Sequence, residues 1–120
     1  MSKIIRPTWA SALLSLILMA SMPVLALTDM QGNEKRFESL IGNGKWTVLE
    51  VWSSQCPACP DAVFYMNNLK KRYKKADLIG ISVDGDYGAN GKKMANAFIK
   101  KHQLKFATLY SSTVEVDNLS

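Results

Sequence analysis

The sequence predicts an α/β fold built on a mostly parallel sheet. Two observations lead there. Three short apolar runs, "WTVLEVW" (46–52), "DLIGISVDGD" (77–86) and "LKFATLY" (104–110), read as strands, and two stretches with apolar residues at helical spacing separate them. Strand, helix, strand, helix, strand is the pattern of parallel strands joined by crossover helices. A third observation bounds the size: 120 residues, 48% of them apolar, suffice for one small domain with a core. With 21% charged residues the composition is not that of a disordered chain.

The first 26 residues stand outside that fold. "MSKIIRP" carries Lys3 and Arg6 and no acid, "WASALLSLILMASM" is uncharged, and Pro23 precedes "VLA" (24–26). This is the charged, apolar and small-residue order of a secretory signal peptide, so residues 1–26 are expected to be removed and the mature protein to be exported and periplasmic. The alternative is an uncleaved anchor facing the periplasm, because the uncharged stretch from Pro7 to Thr28 is just long enough to span a bilayer. Removal of residues 1–26 leaves 13 basic against 10 acidic residues, a mild net charge of +3. The lysines of "KKRYKK" (70–75) read as a solvated helix face. No interleaving of arginine with aromatic residues points to nucleic acid.

The domain, 27–120, is then taken in order. "LTDMQGNEKRFESLIGNGK" (27–45) is polar and marked by Gly32, Gly42 and Gly44, and reads as a hairpin or arm with Phe37 and Leu40 packed on the domain. "WTVLEVW" is nearly continuous in apolar residues, as suits a strand buried on both faces. Pro57 and Ala58 open a helix, where a missing N–H costs nothing, and Ala62, Met66, Leu69 and Tyr73 form its apolar stripe. The second strand ends in a turn. "NGKKMANAFIKKHQ" (90–103) is an amphipathic helix with Met94, Phe98 and Ile99 inward. The third strand follows, and "SSTVEVDNLS" (111–120) has no assigned element.

The chemistry lies in "SSQCPACP" (53–60), which holds the only two cysteines, Cys56 and Cys59. Outside the cytosol disulfides persist. A disulfide-stapled scaffold needs more than two cysteines and a structural zinc site needs four ligands. The one other soft donor, His102, lies far along the chain and reads as a solvated residue at a helix end. At a strand-to-helix junction, the first sulfur of a Cys-X-X-Cys sits where free N–H groups and the positive end of the helix dipole stabilise a thiolate. Thiol pKa values at such sites fall to roughly 3.5–7.5, and the thiolate is the attacking species in disulfide exchange. Cys56 holds that position. Cys59, one turn on and less exposed, can attack the resulting mixed disulfide, and Pro57 stiffens the turn between them. Glu50 is the second informative residue. A carboxyl inside a buried strand is costly unless paired or neutral, burial raises its pKa, and Glu50 could lie under the helix that carries Cys59 and accept its proton.

With these residues in view, the chain resembles the thioredoxin superfamily, and within it is similar to exported TlpA-like and redoxin-type thiol-disulfide oxidoreductases. "VLEVWSSQCPACP" resembles the strand, aromatic and Cys-X-X-Cys signature, "LTDMQGNEKRFESLIGNGKW" the N-terminal hairpin, and "LIGISVDGD" with "FIKKHQLKFATLY" the following strand, helix and strand, over about residues 27–116. The resemblance implies that Cys56 attacks, Cys59 resolves, Glu50 is the buried acid and Trp52 the aromatic at the strand end. It implies protein thiol or disulfide partners and no diffusible cofactor. Two departures stand out. Gln55 replaces the usual tryptophan before the first cysteine, and the prolines at 7, 23, 57 and 60 include none for the family's cis-proline loop. The expected fold is therefore thioredoxin-like but incomplete: an N-terminal hairpin plus βαβαβ, without the cis-proline strand, the last hairpin strand and the last helix. The rival readings are a redox-inactive remnant of the fold and a metal-binding or metallochaperone module using the cysteine pair with His102.

Overall fold

The computed structural model describes residues 27–119; the predicted signal segment, 1–26, lies outside them. The elements in chain order are strands β1 (Leu27–Asp29), β2 (Glu34–Lys35) and β3 (Trp46–Trp52), helix α1 (Cys59–Arg72), strand β4 (Ala76–Ser82), helix α2 (Gly91–His102), strand β5 (Ala107–Tyr110) and the short helix α3 (Thr113–Asp117). The strands form one sheet in the order β2-β1-β5-β4-β3. β3, β4 and β5 run parallel, with Trp52 opposite Ser82 and Ser82 opposite Tyr110, so all three end at the same edge of the sheet. β1 joins antiparallel to β5 and to β2. The expected α/β fold, an N-terminal hairpin followed by βαβαβ, is the one observed.

The core has two layers. On one face α1 and α2 pack on the sheet through Trp52, Val63, Met66, Ala95, Phe98 and Phe106. On the other, Leu27, Ile79, Ile81 and Leu109 are covered by Phe37 and Leu40 from the arm and by Val116 of α3. The packing roles of Phe37 and Leu40 hold as expected. β4 is the strand buried on both faces. Its Gly80 allows the crowding: a Cβ there would stand 2.8 Å from Phe106 and from Thr108 Oγ1 and 3.0 Å from Trp52 Nε1.

The structure corrects several details. β3 is not buried on both faces: it pairs only with β4 among the described residues, and Leu49, Val51 and Trp46 are exposed. A continuous apolar run does not distinguish a central strand from one at the margin. α1 begins at Cys59 rather than Pro57, because residues 56–58 form a turn and it is Pro60 that occupies the first helical turn. Met66 is buried and Leu69 packs on the core as predicted, but Cys59 and Val63 join that face, Ala62 is only half-buried, and Tyr73 is exposed at the helix end. On α2 Phe98 is buried as expected, but Ala95 shares its face, with Met94 and Ile99 half-buried.

Residues 113–117, assigned no element from sequence, form α3. Ser112 caps it, its Oγ accepting from the Glu115 amide at 3.3 Å. The Asp86 carboxylate ties this helix down by accepting from the Thr113 amide at 3.0 Å and from the Thr113 hydroxyl. These two bonds, the hydroxyl's first, hold the Asp86 carboxyl below its usual 3.8. A carboxyl whose pKa is depressed by folding stabilises the fold above its unfolded value and loses that contribution as pH falls through the folded one. The Thr113 amide resonance should therefore titrate with a midpoint below 3.8. The step should vanish in Asp86→Asn; a step that survives there would assign it to another group.

Candidate functional site

The site forms where β3 leaves the sheet. At the carboxyl edge the strand ends are joined by main-chain bonds, Val83 N–H to Trp52 C=O at 2.9 Å and Ser111 N–H to Ser82 C=O at 2.8 Å. Beyond Trp52 the chain makes two successive turns. The Cys56 N–H donates to the Ser53 carbonyl at 3.1 Å and the Cys59 N–H to the Cys56 carbonyl at 3.2 Å. The Ala62 N–H then reaches the Ala58 carbonyl at 3.2 Å and α1 is under way.

Cys56 and Cys59 are joined in a disulfide with a Cα–Cα distance of 5.3 Å. Cys56 is half-buried, whereas Cys59, the first residue of α1, is 6% exposed. The pair thus presents one reachable sulfur and one sheltered by the core. Cys56 precedes the helix rather than occupying its first turn, and the amides of that turn lie just beyond it. Pro57 is exposed in the turn between the cysteines. Pro60 places its missing N–H in the first turn, where no intrahelical acceptor exists.

Trp52 closes the site from below. It is 1% exposed, stacks on Phe98 with ring centroids 4.7 Å apart, and donates from Nε1 to Thr108 Oγ1 at 3.0 Å. Glu50 lies two residues before it, on the same face of β3 as Trp52 and Val48 by strand alternation, and is half-buried. It is less enclosed than a mid-strand carboxyl was expected to be, because among the described residues β3 pairs on one side only. No hydrogen bond or ion pair to Glu50 is found among the described residues. His102 ends α2 as expected but is half-buried rather than fully solvated, with its ring 4.4 Å from that of Phe98. Among the described residues no three His, Cys, Asp or Glu side chains cluster as metal ligands would. An open groove of about 420 Å³ runs beside the loop that carries the disulfide, lined by Gln55 and Pro60 on one side and by Met94, Phe98, Lys101 and His102 on the other.

Sequence reasoning missed Asp84. It is 0% exposed, and its Oδ1 accepts from Ser53 Oγ at 2.8 Å and from the Ser54 N–H at 3.0 Å. The available signal was an acid directly after the apolar run "LIGISV", at the carboxyl end of a parallel strand, where α/β sheets gather their functional groups.

Comparison with known proteins agrees with this geometry. A family model described as AhpC/TSA matches residues 19–119. The thiol-disulfide oxidoreductase ResA of Bacillus cereus is 31% identical over 84 residues, which cover 70% of this chain and 46% of that protein. The chain therefore spans about half the length of the curated relatives it matches. Among solved structures, a thiol-disulfide oxidoreductase from Bacteroides fragilis superposes with a TM-score of 0.60 at 26% identity, covering 76% of this chain and 65% of that one. A secreted disulfide oxidoreductase from Mycobacterium tuberculosis shares the fold with a TM-score of 0.58 at 23% identity, covering 72% and 60%.

Proposed function

Because the chain belongs to the AhpC/TSA family, we propose that it is an exported thiol-disulfide oxidoreductase that exchanges electrons with protein thiols and disulfides through Cys56 and Cys59. The observation that carries this reading is the disulfide itself. It lies at the carboxyl edge of a parallel sheet and at the mouth of a helix, with Cys56 reachable and Cys59 sheltered. Curated relatives named as thiol-disulfide oxidoreductases support it, and the leader-like residues 1–26 support export to the periplasm.

In the reducing direction both sulfurs begin as thiols. The Cys56 thiolate attacks one sulfur of the partner's disulfide, that S–S bond breaks, and the partner's second sulfur leaves as a thiolate that takes up a proton. Cys59 gives up its proton and attacks the Cys56 sulfur. The intramolecular disulfide closes, and the partner leaves with two electrons and both its thiols. Run backwards, the same steps oxidise a dithiol. The dithiol carries the electrons, so no diffusible cofactor enters. Glu50 is assigned the proton from Cys59, Trp52 fixes the floor beneath the pair, and Pro57 stiffens the turn between the sulfurs.

Mass measurement after thiol trapping across a series of redox buffers tests the reading. A single two-electron transition between dithiol and disulfide is expected. Two thiols that stay free throughout the series would end it.

A further inference from the structure

We propose that Asp84 is the positioning residue of the redox pair: its buried carboxylate, acting through Ser53, holds the loop that presents Cys56. The inference rests on the redox reading above and adds to it a residue on another strand.

The bonds form a short relay. The Asp84 carboxylate accepts from the Ser53 hydroxyl at 2.8 Å and from the Ser54 N–H at 3.0 Å. The Ser53 hydroxyl oxygen in turn accepts the Gln55 N–H at 3.2 Å, and the Ser53 carbonyl accepts the Cys56 N–H at 3.1 Å. The Asp84 carboxylate thus bonds two of the four residues from Ser53 to Cys56 directly, and Ser53 bonds the other two.

Asp84 can serve as an anchor because it is itself fixed from several sides. Its own N–H donates to Ser82 Oγ at 3.2 Å, and the next residue, Gly85, donates to the Ser111 carbonyl at 2.9 Å, so both β4 and the end of β5 hold it. The first residue of α2 presses on it. A Cβ on Gly91 would overlap the Asp84 carbonyl oxygen and lie 2.5 Å from the Tyr110 hydroxyl. That tyrosine is the ionisable neighbour across the sheet; burial first, and then the negative charge of Asp84, push its phenol above the usual 10.0. A buried carboxylate is costly unless its lone pairs are used. Here the donors that satisfy it come from the loop carrying the nucleophile, which couples burial of the charge to the loop's geometry. Geometry imposed on a reacting group by locked neighbours is what preorganisation requires.

The test uses Cys59→Ser as background, so that Cys56 is the one cysteine left, and follows its alkylation by iodoacetamide between pH 5 and 9. No partner protein is involved, so the outcome is independent of whether the chain turns over any substrate. Asp84→Asn and Ser53→Ala should each slow alkylation at pH 7 by about tenfold, the lower end of what a hydrogen bond to a charged group is worth. The double variant should be no slower than the slower single one, because both break one relay. Ser53→Thr, which keeps the hydroxyl, should stay within about twofold of the parent. Denaturant midpoints are measured alongside. Should Asp84→Asn prove unfolded, Ser53→Ala and Ser53→Thr carry the test by themselves. Three results overturn the proposal: single effects that multiply in the double variant; faster alkylation in Asp84→Asn with Ser53→Ala unchanged, the mark of a bare nearby charge; and lowered midpoints with unchanged alkylation, the mark of a purely structural residue.

Discussion

Replacing Cys56 with serine should reduce disulfide exchange to the uncatalysed level, while replacing Cys59 should arrest the protein in covalent complexes with its partners. The asymmetry follows from exposure. Cys56 is half-buried on the loop ahead of α1, and Cys59 is 6% exposed inside it. A partner's disulfide can reach only the first. Without Cys56 there is no accessible nucleophile, and the sheltered Cys59 cannot substitute. Without Cys59 the first attack proceeds, but the mixed disulfide has no resolving thiol. Non-reducing electrophoresis of the two variants after exposure to oxidised protein substrates, with reducing lanes beside them, separates the cases. Equal yields of covalent complex from both variants would mean that the two sulfurs are equally accessible and would remove the division of roles.

Trp52→Ala should be the most destabilising single truncation near the site, by about 3–5 kcal/mol. Small domains hold only about 5–15 kcal/mol in total. The ring is 1% exposed, stacks on Phe98, and gives its N–H to Thr108. Truncation removes the apolar burial, leaves a void beneath the cysteines and takes away the donor to the Thr108 hydroxyl, which keeps only its own bond to the Leu109 carbonyl at 3.5 Å. Trp52→Phe keeps most of the volume and the stack but loses the hydrogen bond, and should cost about 1–2 kcal/mol. Urea unfolding at constant m-value reports both. A loss below about 1 kcal/mol for alanine would show that the neighbours collapse into the space, and that Trp52 is not what keeps the floor of the site rigid.

Much of this could be read from the chain. The alternation of apolar runs with helical spacing carried the order of strands and helices along the chain, and two cysteines at a strand-to-helix junction pointed to the candidate site. What could not be read depends on neighbours distant in sequence. Whether "WTVLEVW" lies inside a sheet or at its margin depends on what pairs with its second side, and nothing local encodes that. In α1 Met66 and Leu69 face the core as their spacing predicts, whereas Val63 is buried and Ala62 only half-buried, because the exact inward direction is set by the sheet it packs on. Asp84 escaped because its partners, Ser53 and Ser54, lie about thirty residues earlier, so the acid resembles an ordinary turn residue until the strands are placed side by side. α3 is held by a cap, by Asp86 and by the packing of Val116 on the far face of the sheet, of which only the cap is local in sequence.

The free side of β3 bears on how the segment 27–119 behaves by itself in a tube. Within residues 27–119 that strand offers a row of unused main-chain donors and acceptors along one side, flanked by exposed Leu49 and Val51 and by Trp46 at 85% exposure. Such a row is a template on which further strands assemble. Assembly of this kind grows with the square of protein concentration, whereas intramolecular closure of the disulfide does not depend on it. The single charge in β3 is Glu50, placed as sequences place gatekeepers in sticky strands. That solubility role falls on the same carboxyl for which we propose the proton transfer. A neutral substitution at Glu50 is expected to lower colloidal stability and to slow the proposed proton transfer, and the two effects separate only on dilution.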